Sequence, residues 1–371
     1  MKALIITNLT KRFQPGHFTM IEPLQELGYE VHWAANFSEY KEDITQVPIK
    51  THHIDFIRNP FQPVNFKAYI QLMKLLKQEK YDVIHCNSPI GGVLGRICGR
   101  QAKVPKIIYT AHGFHFYKGA PLINRIIYKN VEKYLARKTN ILITITKEDY
   151  HNALEFKKIN KELDIFYIPG VGIDREKIIQ EASMREELCN QLNISTESFL
   201  ILSAGELNRN KNQKVVIEAI ANIKENQQIH YIVCGVGPLE KELKQLAIDR
   251  GVSENVHFLG YREDIIKLMK SSDLFVMPSY REGLSRAIME AMASGLPVMA
   301  SKIRGNVDLI SEQGGRLFEP SDINKVSEGI IEIYNNPNLR NEMGQHNLKL
   351  SRSYDIEKIV YSLSNVYDKK K

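Results

Sequence analysis

Two carboxylates eight residues apart, Glu282 and Glu290 in SYREGLSRAIMEAMASG, carry the sharpest chemical signal in the chain. The segment reads as a polar loop, YREGLS, running into a helix, RAIMEAMASG, that is closed by Gly295 and then Pro297. Between the two acids the helix start presents the backbone N–H groups of Gly283, Leu284 and Ser285. Donors at a helix start have no intrahelical acceptor, and the positive end of the helix dipole lies beside them. Such a terminus suits a phosphate or diphosphate. A carboxylate on either side cannot favour the phosphate itself, but it accepts hydrogen bonds from flanking hydroxyls, as on two sugars. The spacing therefore points to a diphosphate with a sugar at each end, a nucleotide-sugar. It fits at least as well an ordinary capped helix with Glu290 on its solvated face.

The surrounding elements must hold this loop in place. ALIIT (3–7), EVHWAA (30–35), YDVIHC (81–86), KIIYTAH (106–112) and ILITIT (141–146) read as short apolar strands, with helical stretches over about 17–28, 65–80, 91–102 and 121–138 between them. The pattern restarts with FLILSAG (199–205), IHYIVCG (229–235), VHFLG (256–260), LFVMPS (274–279) and PVMAS (297–301), again separated by helices. Repeated βα units with apolar strands predict open parallel sheets, so the fold class is α/β with two Rossmann-like domains. The seam lies near IPGVGIDREK (168–177), giving an N-terminal domain over 1–170 and a C-terminal domain over 171–371, the last helix packing back on the first domain. In such sheets ligands bind beyond the carboxyl ends of the strands, and two facing sheets form an interdomain cleft.

Composition narrows the function classes. With 371 residues, 43% hydrophobic and 25% charged, the chain is neither disordered nor collagen-like. Cys86, Cys98, Cys189 and Cys234 form no CxxC pair, which argues for reduced thiols over disulfides or a Cys-rich zinc site. No apolar stretch approaches the roughly 20 residues of a spanning helix, so the expectation is a soluble chain or one attached only at a membrane surface. Charge is uneven: residues 1–170 carry 24 Lys and Arg against 15 Asp and Glu, and residues 171–371 carry 26 against 28, or +9 and −2. A basic half suits an anionic partner. Nucleic acid is disfavoured, because no aromatic-rich basic strand, recognition helix or zinc finger is present. Arg125, Lys129, Lys133 and Arg137 recur every four residues on one helix face. The first βα turn, TNLTKRFQPGH, lacks G-x-G-x-x-G, which argues against a nicotinamide dehydrogenase.

E-x7-E followed by AMASGLPV resembles the donor motif of retaining glycosyltransferases of family 4, which have the GT-B fold. The resemblance runs over nearly the whole chain through MKALIIT, the loop with Gly16, YTAHGF (109–114), IPGVGID (168–174), GELNRNKNQ (205–213), GVGPLEKEL (235–243) and FLGYREDI (258–265). Within the family the chain is most similar to bacterial enzymes of capsule, exopolysaccharide or glycan assembly. The resemblance implies transfer of a hexosyl or N-acetylhexosaminyl group from a UDP-sugar to a polyprenyl-diphosphate-linked glycan acceptor, at the inner face of the cell membrane.

It also implies roles. Glu282 binds hydroxyls of the transferred sugar and Glu290 the nucleotide ribose. Gly283, Leu284 and Ser285, together with Lys211, hold the diphosphate, which Gly16 approaches closely. The backbone near Arg262 reads the base. His112 contacts the sugar or supports its developing positive charge, with His115 a second candidate in the same loop. The family usually has an Arg directly after the glycine of GELNRNK; here Glu206 stands there, and Arg209 is the candidate replacement cation. A planar guanidinium suits phosphate well. No D-x-D occurs, and the helix dipole with Lys211 can serve in place of a metal, so neither metal nor cofactor is expected. Lys118, Arg125 and Lys129 lie beside Leu122, Ile123, Ile126 and Ile127, a stretch able to rest on an anionic membrane. The competing reading, slightly preferred, turns the isoleucines into the core. Two alternative functions stay open: an epimerase or phosphorylase of the same fold, and a non-catalytic nucleotide-sugar-binding protein.

Overall fold

A computed structural model describes residues 1–13, 15–57, 59, 62–170 and 172–369. The chain forms two compact units, one of residues 1–172 with residues 356 onward, the other of residues 173–355. The chain leaves the first unit within the expected seam, where Val171 lies outside the described residues.

The first unit contains β1 (Lys2–Leu9), α1 (Pro15–Glu26), β2 (Glu30–Asn36), β3 (Lys50–His53), α2 (Val64–Glu79), β4 (Val83–Cys86), α3 (Pro89–Gln101), β5 (Lys106–Ala111), α4 (Leu122–Ala136), β6 (Ile141–Thr144), α5 (Lys147–Leu154) and β7 (Asp164–Tyr167). Its strands form one parallel sheet in the order β3-β2-β1-β4-β5-β6-β7. Leu4, Ile5, Ile6, Ile84 and Ile108 are fully or almost fully buried, as expected for strands covered by helices on both faces.

The second unit contains α6 (Arg175–Gln180), α7 (Arg185–Leu192), β8 (Phe199–Ala204), α8 (Gln213–Asn222), β9 (Ile229–Cys234), α9 (Glu240–Asp249), β10 (Val256–Gly260), α10 (Ile265–Ser271), β11 (Leu274–Met277), α11 (Arg286–Ala293), β12 (Val298–Ser301), α12 (Asn306–Leu309), β13 (Gly315–Phe318), α13 (Ile323–Asn335) and α14 (Pro337–Leu350). These strands form a parallel sheet in the order β10-β9-β8-β11-β12-β13. The final helix, α15 (Ile356–Asp368), belongs to the first unit. It buries Ile359, Leu363, Val366 and Tyr367 against Met20, Ile21 and Leu24 of α1. The Tyr367 hydroxyl meets buried His85 Nδ1 at 2.7 Å, and Lys106 Nζ donates to the carbonyls of Tyr367 and Lys369.

Helix α4 departs from the preferred reading of its isoleucines. Leu122, Ile123, Ile126 and Ile127 are 71%, 71%, 63% and 51% exposed. Tyr128, Glu132, Leu135 and Ala136 turn inward instead, at the spacing of one helix face. A buried charge sets this rotation. The Arg96 guanidinium, 1% exposed, stacks 3.8 Å from the Tyr109 ring centroid and pairs with both oxygens of Glu132, at 2.7 and 3.1 Å. An unpaired buried guanidinium costs several kcal/mol, so Glu132 must face inward and the isoleucines are left outside.

Candidate functional site

In each sheet the strand order reverses next to the first strand of the unit, between β1 and β4 and between β8 and β11. Loops leaving neighbouring strands part there, and the opening is the expected ligand position of an open α/β sheet.

In the second unit, residues 205–212 follow β8 and residues 278–285 follow β11. Asn210 clips the two loops together: its carbonyl accepts from Tyr280 N at 2.8 Å and its Nδ2 donates to the Arg281 carbonyl at 3.0 Å. Asn208 closes a local turn by accepting from Lys211 N through both its carbonyl and its Oδ1. Asn212, with φ 53°, caps α8 and donates to the carbonyls of Pro278 and Pro320. The outcome is an ion pair: Lys211 Nζ lies 2.7 Å from Glu282 Oε1, with the two side chains 23% and 15% exposed. Both groups singled out from separate sequence motifs thus meet at the switch point.

Helix α11 starts at Arg286, and Ser285 is its N-cap, accepting from Ile288 N at 3.4 Å. Gly283 and Leu284 therefore lie in the loop before the cap, outside the helix. Among the described residues, no hydrogen bond is donated by the N–H groups of Gly283, Leu284, Ser285, Arg286 or Ala287. These amides, with the dipole of α11 behind them, form a donor-rich turn beside Lys211. Gly305 backs the turn: at φ +84°, a Cβ there would sit 1.5 Å from the Gly283 carbonyl oxygen. The sequence reading missed this residue, although RGN, starting three residues past the end of β12, is a legible turn signal. Gly235 plays the corresponding part behind residue 205, where a Cβ would lie 1.9 Å from the Gly205 oxygen.

Glu290, inside α11, accepts from Arg286 Nε at 2.8 Å, one helical turn away. Desolvation raises its pKa above the ordinary carboxylate value, opposed by Arg286. Glu206 is exposed, and its carboxylate accepts from Asn208 Nδ2 at 2.9 Å along its own loop. Arg209 is exposed and makes no ion pair or side-chain hydrogen bond among the described residues. The Arg262 guanidinium forks onto Asp264 at 2.7 and 2.6 Å.

In the first unit, His112 directly follows β5, and its Nε2 meets Asn87 Oδ1, after β4, at 2.6 Å. With the amide oxygen as acceptor, Nε2 carries the hydrogen and Nδ1 keeps a lone pair. Desolvation by the protein around the ring lowers the His112 pKa to about 4. The residue remains solvent-accessible, and its imidazole is neutral near pH 7. Asn8 Oδ1 accepts from Ser88 Oγ and from Gly91 N, both at 2.7 Å, fixing the β4–α3 turn. Asn8, Asn87 and Ser88 were not singled out from sequence, yet each follows the apolar part of a strand, where switch-point residues are expected.

Three expectations shift. Gly16 lies in the first turn of α1 instead of a loop, because the helix starts at Pro15, a residue type preorganised for that position; the Gly16 carbonyl accepts from Thr19 Oγ1. The His115 ring packs 4.8 Å from that of Tyr128 on α4, apart from the His112–Asn87 pair. Lys129 pairs with Glu155 at 2.7 Å, whereas Arg125 and Lys118 are exposed.

Comparison with known proteins now decides the family. The family described as "Glycosyl transferases group 1" matches residues 184–349, and "Glycosyl transferase 4-like" matches residues 9–146. A Bacillus subtilis protein named EpsD and classed among glycosyltransferases is 33% identical across 99% of this chain and 96% of its own length. The chain is a glycosyltransferase-family protein of the GT-B fold. The UDP-Gal:alpha-D-GlcNAc-diphosphoundecaprenol alpha-1,3-galactosyltransferase of Escherichia coli is 32% identical over 89% of this chain and 85% of its own length. HepE of Anabaena, solved in complex with UDP, superposes with a TM-score of 0.80 at 20% identity over 99% of both chains, a likeness of fold. Among the described residues of this glycosyltransferase, no helix is long and apolar enough to cross a membrane.

Proposed function

We propose that this glycosyltransferase moves a sugar from a UDP-sugar to a polyprenyl-diphosphate-linked glycan, with retention of anomeric configuration and without a required metal. The observation carrying the reading is the Lys211–Glu282 ion pair, 2.7 Å long, set beside the open amides before α11. The pair gives one site both a cation for a leaving diphosphate and a carboxylate for sugar hydroxyls. As the glycosidic bond breaks, charge grows on the diphosphate oxygens; Lys211 and the amides from Gly283 to Ala287 stabilise it without reorganising. Glu290 holds the ribose, Arg209 adds a second cation at the diphosphate, and the backbone at Arg262 meets the base. Neutral His112, held by Asn87, presents its free nitrogen to the transferred sugar. The acceptor hydroxyl attacks from the face the diphosphate leaves, which takes up its proton.

The relatives support the acceptor class. One is named for a GlcNAc-diphosphoundecaprenol substrate, and an alpha-1,3-N-acetylgalactosaminyltransferase of Campylobacter jejuni, 26% identical over 95% of this chain, for a diphospho-undecaprenol one. Exposed Leu122, Ile123, Ile126 and Ile127 with Arg125 nearby support docking of α4 on an anionic membrane of the cell interior, where such an acceptor resides.

The test incubates purified protein with radiolabelled UDP-sugars and a short-chain polyprenyl-diphosphate-linked sugar, omitting magnesium and manganese. The expected product is an elongated lipid-linked glycan whose anomeric coupling, read by nuclear magnetic resonance, matches that of the donor. An isomerised donor formed without acceptor, or binding without turnover across the panel, overturns the reading.

A further inference from the structure

At the amino end of the first sheet, opposite the strand ends that carry His112 and Asn87, ligand atoms of His32, His52 and Glu79 lie within 4.8 Å of one another. The parallel register of β2 and edge strand β3 pairs His32 with Lys50 and Ala34 with His52, so the two imidazoles share a sheet face. Glu79 closes the group as the last residue of α2.

Two imidazoles and a phenol crowd together here. His32 is fully buried, and its Nε2 lies 2.8 Å from Glu30 Oε1. The carboxylate oxygen accepts, so Nε2 carries the hydrogen of that bond. In the neutral imidazole Nδ1 is the remaining lone pair. It already faces the Tyr81 hydroxyl at 2.7 Å, and His52 Nε2 stands 3.2 Å away. The Tyr81 hydroxyl also lies 3.4 Å from His52 Nε2, so one hydroxyl and two imidazole nitrogens converge on a single point. Two nitrogens on one tetrahedral zinc, each at about 2.0–2.1 Å, stand about 3.3 Å apart, close to the spacing seen here. A carboxylate holding the far nitrogen of a ligating imidazole is the usual outer shell of such a site, and Glu30 occupies that place.

We propose that His32 Nδ1, His52 Nε2 and Glu79 bind one divalent transition ion, zinc by its chemistry, that ties β3 and the end of α2 to β2. Glu79 brings two lysines: Lys2 and Lys50 lie 2.6 and 2.7 Å from its two oxygens. With both Glu79 oxygens already meeting ammonium groups, an ion here relies chiefly on the two imidazoles, and that ligand type selects transition ions over magnesium or calcium. The position at the amino ends of the strands makes the role structural and separate from sugar transfer.

The test uses untagged full-length protein dialysed against zinc and then against buffer, with metal content read by mass spectrometry and cobalt(II) binding by visible absorption. Wild type retains about one zinc per chain, binds cobalt with a tetrahedral spectrum and melts at higher temperature with zinc than without. Half-buried His52→Gln loses all three signals. Exposed Glu30→Gln keeps the ligands but weakens zinc binding by about 10–100-fold. Should wild type retain no more zinc than His52→Gln, the site does not exist. Should His52→Gln fail to fold, wild-type retention unchanged by Glu30→Gln overturns it equally.

Discussion

The two switch points occupy the same place in two similar parallel sheets but carry opposite chemistry. Beside β8 and β11 stands an ion pair, Lys211–Glu282, with open amides next to it. Beside β1 and β4 the groups are uncharged: Asn8, Asn87, Ser88 and, reached from β5, a neutral His112. Topology fixed where each opening lies, and loop residues alone decided what it can hold. A strongly anionic group suits the second unit's opening, whereas a sugar suits the neutral hydrogen-bonding groups of the first. The basic character of the first unit is placed elsewhere, on exposed side chains such as Arg125 and Lys118.

The largest break in this contrast comes from removing the charge of the second site. Lys211→Ala is expected to lower kcat/KM for the UDP-sugar by about 10²–10³-fold, the usual loss when one preorganised group at a developing charge is deleted. It should also weaken UDP binding in calorimetry. Glu282→Gln preserves the shape; it should reduce turnover while leaving UDP affinity within a few-fold, because UDP carries no transferred sugar. Equal loss of UDP affinity in both variants would contradict the division of labour between the pair.

His112→Ala probes the neutral site. A hydrogen bond to a charged group contributes about 1.5–3 kcal/mol, so kcat should fall about 10–100-fold with UDP affinity unchanged. The pH dependence follows from the sign of the pKa shift. With a pKa lowered to about 4, the folded protein keeps His112 neutral at and above pH 6. Loss of activity through His112 therefore appears only as pH falls toward 4, and a profile in kcat with a His112-dependent limb near 6.5 excludes the assignment. His85 adds a stability effect of the same sign: burial lowers its pKa to about 3, so folding excludes a proton that the unfolded chain binds below about pH 6.5. That contribution is fully present above pH 6.5 and disappears as pH drops toward 3, releasing the His85–Tyr367 contact that docks α15.

Helix α4 sharpens the comparison from outside the openings. Replacing both Ile123 and Ile126 by Ser should lower flotation with anionic liposomes by about tenfold, given the apolar area involved. Arg125→Ala should cost about fivefold, near 1 kcal/mol for one cation at an anionic surface, and only at low salt. Neither change should alter UDP binding in the second unit. Undiminished flotation of the Ile123/Ile126 variant removes α4 as the membrane contact.

The α/β architecture was legible because buried parallel strands announce themselves as short apolar runs: ALIIT, FLILSAG and VHFLG all lie within or against observed strands. The three strands not foreseen lack that signature. KTHH of β3 and DIFY of β7 are edge strands with polar residues, and GRLF of β13 is a half-buried edge. Lys211 and Glu282 were legible as separate motifs, but their contact depends on Asn210, whose amide and carbonyl join loops 71 residues apart. The face of α4 was misread for a related reason. Its rotation is set by buried Arg96, far along the chain, and helix periodicity contains no information about a distant charge that needs a partner.

The smallest expected effect concerns the position where the family's usual arginine is replaced. Glu206 turns its carboxylate along its own loop to Asn208, and exposed Arg209 stands three residues on. If Arg209 supplies the missing cation, Arg209→Ala should raise the KM for the UDP-sugar about fivefold, since an exposed ion pair contributes about 1 kcal/mol at most. Raising salt from low to physiological strength should erase most of the difference, because exposed charges are screened and the partly buried Lys211 is not. Glu206→Gln gives the complementary reading. Removing a negative charge from the same loop should lower KM slightly at low salt, and a rise would mean that Glu206 itself binds the donor. A KM in Arg209→Ala equal to that of wild type at low salt assigns the whole diphosphate charge to Lys211 and the amide turn before α11.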